Sequence, residues 1–228
     1  MYSKDKSQVA KKQPGMLPPA LRSSHIWRKN MKTFQLLIYA VVLMLVSNNP
    51  LHAAARKWEV DKAHSGFHFS VGHIFSTING FFNDFEVEMQ FDPSDLKASQ
   101  MVFTIKVASI DTNIEKRDKH LQSPDFFDAA TYPTMTFTSK KITKTGENSY
   151  DVAGEFEVKG VKYDLVLPLT LAGIKQHPMD NKKDILGFNG SIILDRLLYK
   201  VGTGKFADLG IIGKDVDARI TLELLSDN

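Results

Sequence analysis

The chain has 228 residues, 29 of them Lys or Arg and 26 Asp or Glu, and no cysteine, which removes thiol nucleophiles, Cys-ligated metals, disulfides and dithiol redox chemistry at once. The net charge of +3 comes from the N-terminal quarter: residues 1–55 hold eight basic residues and one acid, so residues 56–228 carry 21 basic and 25 acidic residues, a net of −4. A mildly acidic remainder of 173 residues argues against nucleic acid as the main partner and suffices for one domain with a full core.

Residues 1–30 mix seven basic residues with Pro14, Pro18 and Pro19 and show no apolar period. They read as an upstream artefact, with translation starting at Met31, or as a disordered leader. Residues 31–55 have the order of a secretory signal peptide: Met31-Lys32, an apolar run from Phe34 to Val46, a polar break at Ser47–Pro50, then Ala53-Ala54-Ala55. The run is about 13 residues, short of the roughly 18–20 that cross a bilayer. Cleavage near Ala53–Ala55 is expected, and with it a periplasmic or secreted location. An uncleaved anchor is the alternative.

Residues 56–228 form the expected domain, and their signal is period two. Phe67, Phe69 and Val71 alternate; Phe81, Phe85, Val87, Met89 and Phe91 share one parity, with Phe82, Asp84, Glu86 and Glu88 on the other. Asp92-Pro93-Ser94-Asp95 breaks that run, and Met101, Phe103, Ile105 and Val107 carry the next. Thr112-Asn113-Ile114-Glu115 fits a capping box opening a short helix through Leu121, and Ser123-Pro124-Asp125 fits a second helix start. Strands resume with Met135 and Phe137, then Tyr150–Val158, then Val161–Leu171, where Pro168 implies an edge or bulge. A polar loop at 175–184, a strand at Phe188–Leu194, a glycine-rich stretch at 202–213 and a strand at Val216–Leu224 complete the chain. About eight strands with short turns and one helical insert make an all-β domain, a closed antiparallel barrel or a sandwich. An eight-stranded barrel can hold one small ligand.

An ordered set of short motifs carries a resemblance. It comprises Trp58-Glu-Val-Asp61, His64-Ser65, Phe69-Ser-Val-Gly-His73, Gly80-Phe-Phe, Ser109-Ile-Asp-Thr112, Arg117-Asp118-Lys-His120-Leu121, Asp125-Phe-Phe-Asp128, Tyr132-Pro133, Phe137-Thr-Ser139, Gly154-Glu-Phe and Val158-Lys-Gly160-Val161. With this spacing the chain resembles the YceI-like family of exported, lipocalin-like proteins associated with polyisoprenoid binding. The resemblance implies an antiparallel eight-stranded lipocalin-like barrel with a short helical insert and an apolar channel. It implies as ligand an isoprenoid, a polyprenyl phosphate or isoprenoid quinone, or a similar amphiphile, held for carriage or sequestration. After Gly187 the chain keeps Arg196 but departs from the family's Arg-x-x-Phe-Gly pattern, which leaves the shape of one barrel end open.

On this reading Phe67, Phe69, Phe81, Phe85, Phe103, Ile105, Met135, Phe137, Phe156 and Tyr163 are the apolar lining, with ordinary core packing the competing role for each. Arg117, Asp118 and His120 are the head-group candidates, and Lys159, Lys162 and Arg196 weaker ones. His64 and His68 would stand about 13 Å apart on one strand face, too far to share an ion, and His73 has the other parity, so no metal site is expected. Gly202-Thr-Gly204-Lys205 lacks P-loop spacing and no helical pattern follows it, so it reads as a loop. No nucleophile elbow is present and Ser65 has no partner set, so the protein is expected to be no enzyme and to need no cofactor beyond a bound isoprenoid lipid or quinone. Transient membrane contact is expected of a lipid carrier, and the oligomeric state is left open. The two competing functions are a barrel enzyme acting on an amphiphile and a filled-barrel interaction module.

Overall fold

The computed structural model describes residues 55–227. The leader at 1–30 and all but the last residue of the signal segment at 31–55 lie outside the described residues. Eleven strands run β1 (Lys57–Val60), β2 (Gly66–His73), β3 (Ser76–Phe82), β4 (Phe85–Gln90), β5 (Gln100–Lys106), β6 (Ile110–Asp111), β7 (Thr134–Lys144), β8 (Ser149–Val158), β9 (Val161–Gln176), β10 (Lys183–Asp195) and β11 (Ile212–Asp227). Helix α1 (Glu115–Leu121) lies between β6 and β7, and α2 (Lys205–Asp208) between β10 and β11.

All pairings are antiparallel, and the sheet closes because β1 pairs with both β4 and β11. Three pairs of short strands are halves of single bent strands: β1 with β2, both on β11; β3 with β4; and β5 with β6, across a 3₁₀ turn at Val107–Ser109. Counted this way the molecule is an eight-stranded up-and-down barrel. The expected all-β barrel with one helical insert is what forms.

Each bend changes which parity faces inward. Trp58 is buried on β1, yet Phe67 leads the inward row on β2; Phe82 is inward on β3, yet Phe85 on β4. A third shift falls between Ser139 and Lys141 on β7. These irregularities bend the strands so that the sheet can curl into a barrel.

The two ends of the barrel differ. At one end the interior is packed solid: Trp58, Met89, Phe91, Met101, Tyr150, Leu169, Leu186, Phe188, Leu222 and Leu224 are almost wholly buried. Phe91, Tyr150 and Phe188 meet edge-to-face, with ring centroids 5.0 to 6.1 Å apart. The Trp58 indole N–H donates to the Phe91 carbonyl at 3.0 Å, and Arg56 lies over the Trp58 ring while pairing with Asp184. At the other end the strands diverge. The β9–β10 ladder stops at Leu169–Gly190, so Val161–Pro168 and Ser191–Asp195 are not paired with each other. Pro168 sits where the two strands part, the edge position its missing N–H allows.

The insert differs in detail from its sequence reading. Helix α1 starts after Ile114 without a side-chain cap, and its residues are not buried. Thr112 does not cap Glu115. Instead Asp118 Oδ1 accepts both the Thr112 amide, at 2.9 Å, and its hydroxyl, because a carboxylate is the stronger acceptor and reaches back past the helix start. Glu115 pairs with Lys119 at 2.6 Å. Ser123–Phe127 forms turns rather than a second helix, with the Phe126 and Asp128 amides bonded to the Ser123 carbonyl. The glycine-rich stretch read as a loop contains the four-residue α2.

Candidate functional site

The open end encloses a cavity of about 630 Å³, within the range of about 300–1,000 Å³ typical of small-molecule pockets. Its wall is overwhelmingly apolar. Phe67, Phe69 and Val71 come from β2, Ile78 and Phe82 from β3, Phe103 and Ile105 from β5, Met135 and Phe137 from β7, Phe156 and Val158 from β8, and Ile192 and Leu194 from β10. The floor is an aromatic cluster: Phe67 meets Phe85 at 5.0 Å and Phe103 at 5.6 Å, and Phe103 stacks on Phe137 at 5.7 Å.

Seven of the ten expected lining residues face this space: Phe67, Phe69, Phe103, Ile105, Met135, Phe137 and Phe156. Three do not. Phe81 lies on the outer parity of β3, against His68, because the bend at Asn83–Asp84 puts Phe82 inward instead. Phe85 points inward but is sealed beneath Phe67 as part of the packed end. Tyr163 has the inward parity but sits at the rim, 43% exposed, with its ring against Tyr199.

A cap closes the open end, assembled from the insert and the 196–211 segment. Phe126 and Phe206 pack at 5.1 Å with the His120 ring against both, at 5.0 and 5.3 Å. Tyr199 fills the wedge where β9 and β10 part, contacting Phe156 and Tyr163. Of these aromatics only Phe156 and Tyr163 had strand periodicity to announce them; Asp125-Phe-Phe-Asp128 had stood out only as a motif.

Two cations tie the cap together through backbone carbonyls. The buried Arg196 guanidinium donates to Val201 and Gly202 (both 2.6 Å), Gly213 (2.8 Å) and Ile212 (3.0 Å). No carboxylate bonds to it, and burial pulls its pKa down from the ordinary arginine value. Gly202, at φ 63°, lets the chain pass beneath it: a Cβ there would lie 2.8 Å from Arg196 Nη1 and 2.5 Å from the Phe126 ring. Lys159 Nζ donates to Pro124, Phe126 and Lys200, joining the two halves of the cap. Lys162 pairs with Glu155 and Glu157 and does not line the cavity.

Of the head-group candidates, Arg117 and His120 border the cavity and Asp118 does not. Arg117 is held by Thr112, through Nε to the hydroxyl at 2.7 Å and Nη2 to the carbonyl at 2.6 Å. His120 is exposed on one side, with Nε2 3.3 Å from Asp125. The lining as a whole includes Arg117, Arg196, Arg219, His68, His73 and His120, and no Asp or Glu. His68 and Arg219 are cross-strand partners on the outward parity, so Arg117, Arg196, His73 and His120 are the polar groups that matter inside. The cavity can therefore bury an apolar chain and meet an acceptor-rich or anionic group at its capped end.

Outside the cavity, the structure joins His64 to two carboxylates that its sequence neighbourhood did not reveal together. His64 Nδ1 is 2.8 Å from Asp61 Oδ2 and 4.0 Å from Glu223 Oε1. Among the described residues this is the one group of three whose donor atoms lie within 4.8 Å of one another. The hydrogen bond to Asp61 holds the imidazole pKa above the ordinary histidine value and Asp61 below the usual carboxylate range. Asp61 also accepts the Ala63 amide, so the pair shapes the turn that bends β1 into β2.

Comparison with known proteins places these features. The sequence profile described as the YceI-like domain matches residues 58–224. A UPF0312 protein of Vibrio cholerae is 34% identical over 178 residues, covering 75% of this chain and 93% of the relative. Among solved structures, Burkholderia cenocepacia BcnA superposes with a TM-score of 0.64 at 29% identity, covering 74% of this chain and 99% of its own. A polyisoprenoid binding domain from Saccharophagus degradans, implicated in plant cell wall breakdown, superposes with a TM-score of 0.55 over 76% of this chain and 99% of its own. At 16% identity that last likeness carries the fold.

Proposed function

Because the chain belongs to the YceI-like domain family, we propose that it is an exported binding protein that holds an isoprenoid amphiphile, tail in the barrel and head group at the cap, for carriage or sequestration. The observation that carries this reading is the apolar cavity of about 630 Å³ whose polar groups gather at one end and include no carboxylate. An isoprenoid tail gains about 0.8 kcal/mol per CH₂-sized group removed from water, or about 4 kcal/mol per five-carbon unit. Part of that offsets the cost of ordering the chain. The polyisoprenoid-binding neighbour, which shares the fold, supports the same ligand class. The acid-free lining with Arg117, His73 and His120 favours an acceptor-rich head group, a polyprenyl phosphate ahead of a quinone. Export rests on the signal-like order of residues 31–55.

Native mass spectrometry of protein purified from the periplasm without detergent, followed by lipid extraction, tests this. A stoichiometric isoprenoid is the expected result. A different amphiphile keeps the site and discards isoprenoid specificity. An apo mass together with failed reconstitution from polyprenyl phosphate and quinone sinks the proposal.

A further inference from the structure

At the cavity mouth the β2–β3 hairpin ends in a turn of unusual composition. Ile74 and Phe75 stand at its tip, Ile74 63% exposed and Phe75 fully exposed. Ile74 has φ 51°, a left-handed conformation that is costly for a β-branched residue and free for glycine. The turn thus keeps two large apolar residues in water where Asn-Gly would be easier. Its Ile74 amide donates to the Ile211 carbonyl at 3.1 Å, and His73 pairs opposite Ile212. That adjoining segment, Leu209-Gly-Ile-Ile-Gly213, carries no charge and presents Leu209 at 68% exposure. From Ala63 to Asn83 the chain has no Asp, Glu, Lys or Arg, so the whole hairpin can leave water without stranding a formal charge.

We propose that Ile74, Phe75 and Leu209 form a docking tip that enters a lipid bilayer and sets the cavity mouth against it. The inference rests on the carrier reading for its purpose but not for its geometry. The tip is continuous with the cavity, since His73, Ser76, Ile211 and Ile212 line the one and flank the other. An apolar cargo leaving a membrane there would move from hydrocarbon to barrel wall with little exposure to water. A second protein copy fits the patch poorly: three side chains, at most roughly 250 Å² each, fall short of the about 800 Å² per partner of a stable interface. The contact is interfacial in kind: three apolar side chains at a turn tip reach only into the headgroup boundary.

Flotation of the full chain with phosphatidylcholine vesicles, wild type against Phe75→Ser/Leu209→Ser, tests the tip. Both proteins carry the same N-terminal segment, so only their difference counts. The expected result is a partition coefficient at least about ten-fold lower in the variant, with unchanged circular dichroism and unchanged isoprenoid loading. A single Phe75→Trp variant should show a blue-shifted emission component, quenched by brominated lipid, on adding vesicles. Equal binding by wild type and the double variant overturns the proposal. So does binding that appears only with phosphatidylglycerol and equally in both, which would be electrostatic attachment, or self-association of wild type in place of vesicle binding. Vesicle docking without isoprenoid uptake would keep the tip and remove the carrier reading; loading that is normal while docking is absent would do the reverse.

Discussion

Arg196 and Lys159 hold the cap with charges that meet only backbone carbonyls, seven contacts between them. Such bonds are stronger than neutral ones and are costly to leave unmade. Replacing Arg196 with Met keeps the length of the side chain and strands the four carbonyls. The expected loss is roughly 3 kcal/mol, read as a lower denaturant midpoint, with faster amide exchange in residues 197–213. Arg196→Lys should recover little, because an ammonium cannot reproduce the planar fork. In the sequence Arg196 was visible only as a motif remnant and a head-group candidate; its carbonyl cage is made by residues up to 17 positions away, which no local pattern encodes. Thr112 illustrates the converse. Its spacing to Glu115 was a sound capping signal, but Asp118 and Arg117, six and five residues on, competed for it and won.

At the scale of the element, alternation made strands legible and left their inward faces less so. β5 and β8 were readable throughout because each keeps one frame: Met101, Phe103 and Ile105, then Tyr150 and Val152, are all buried. The β3–β4 strand was not, since two residues at Asn83–Asp84 exchange the faces and turn Phe82 rather than Phe81 inward. A one-residue slip reverses every side chain downstream, and a bend of this kind has no sequence signature beyond the Asn83-Asp84 pair. Where strands pass closely, glycine records it. Phe69 lies opposite Gly80 across β2 and β3, and a Cβ at Gly80 would stand 2.4 Å from its ring. Gly80→Ala should therefore tilt Phe69 into the cavity. The expected outcome is a loss of about 1–3 kcal/mol in thermal unfolding and a reduced lipid stoichiometry by native mass spectrometry, with the barrel's circular dichroism retained.

For the molecule as a whole, the barrel is half core and half container. The filled-barrel alternative describes its packed end and the ligand-binding reading its open end, so the aromatic content divides between the two roles. Composition could not apportion them, because Phe91 and Phe103 look alike in sequence and differ only in how far along the axis they sit. The division separates stability from capacity. Phe188→Ala, in the packed end, is expected to cost about 3–5 kcal/mol in denaturant unfolding, whereas Phe156→Ala, on the cavity wall, should cost less and enlarge the space. The aromatic floor under Phe67 and Phe103 has one more consequence. A tube open at both ends would let a chain of any length slide through, but a tube with a solid stop measures what is put into it. Tails short enough to reach the stop with the head group still seated at the cap would fit; longer ones would have to fold back or leave their last units outside. The barrel would then act as a depth gauge, grading homologous chains by their number of repeating units rather than by their chemistry.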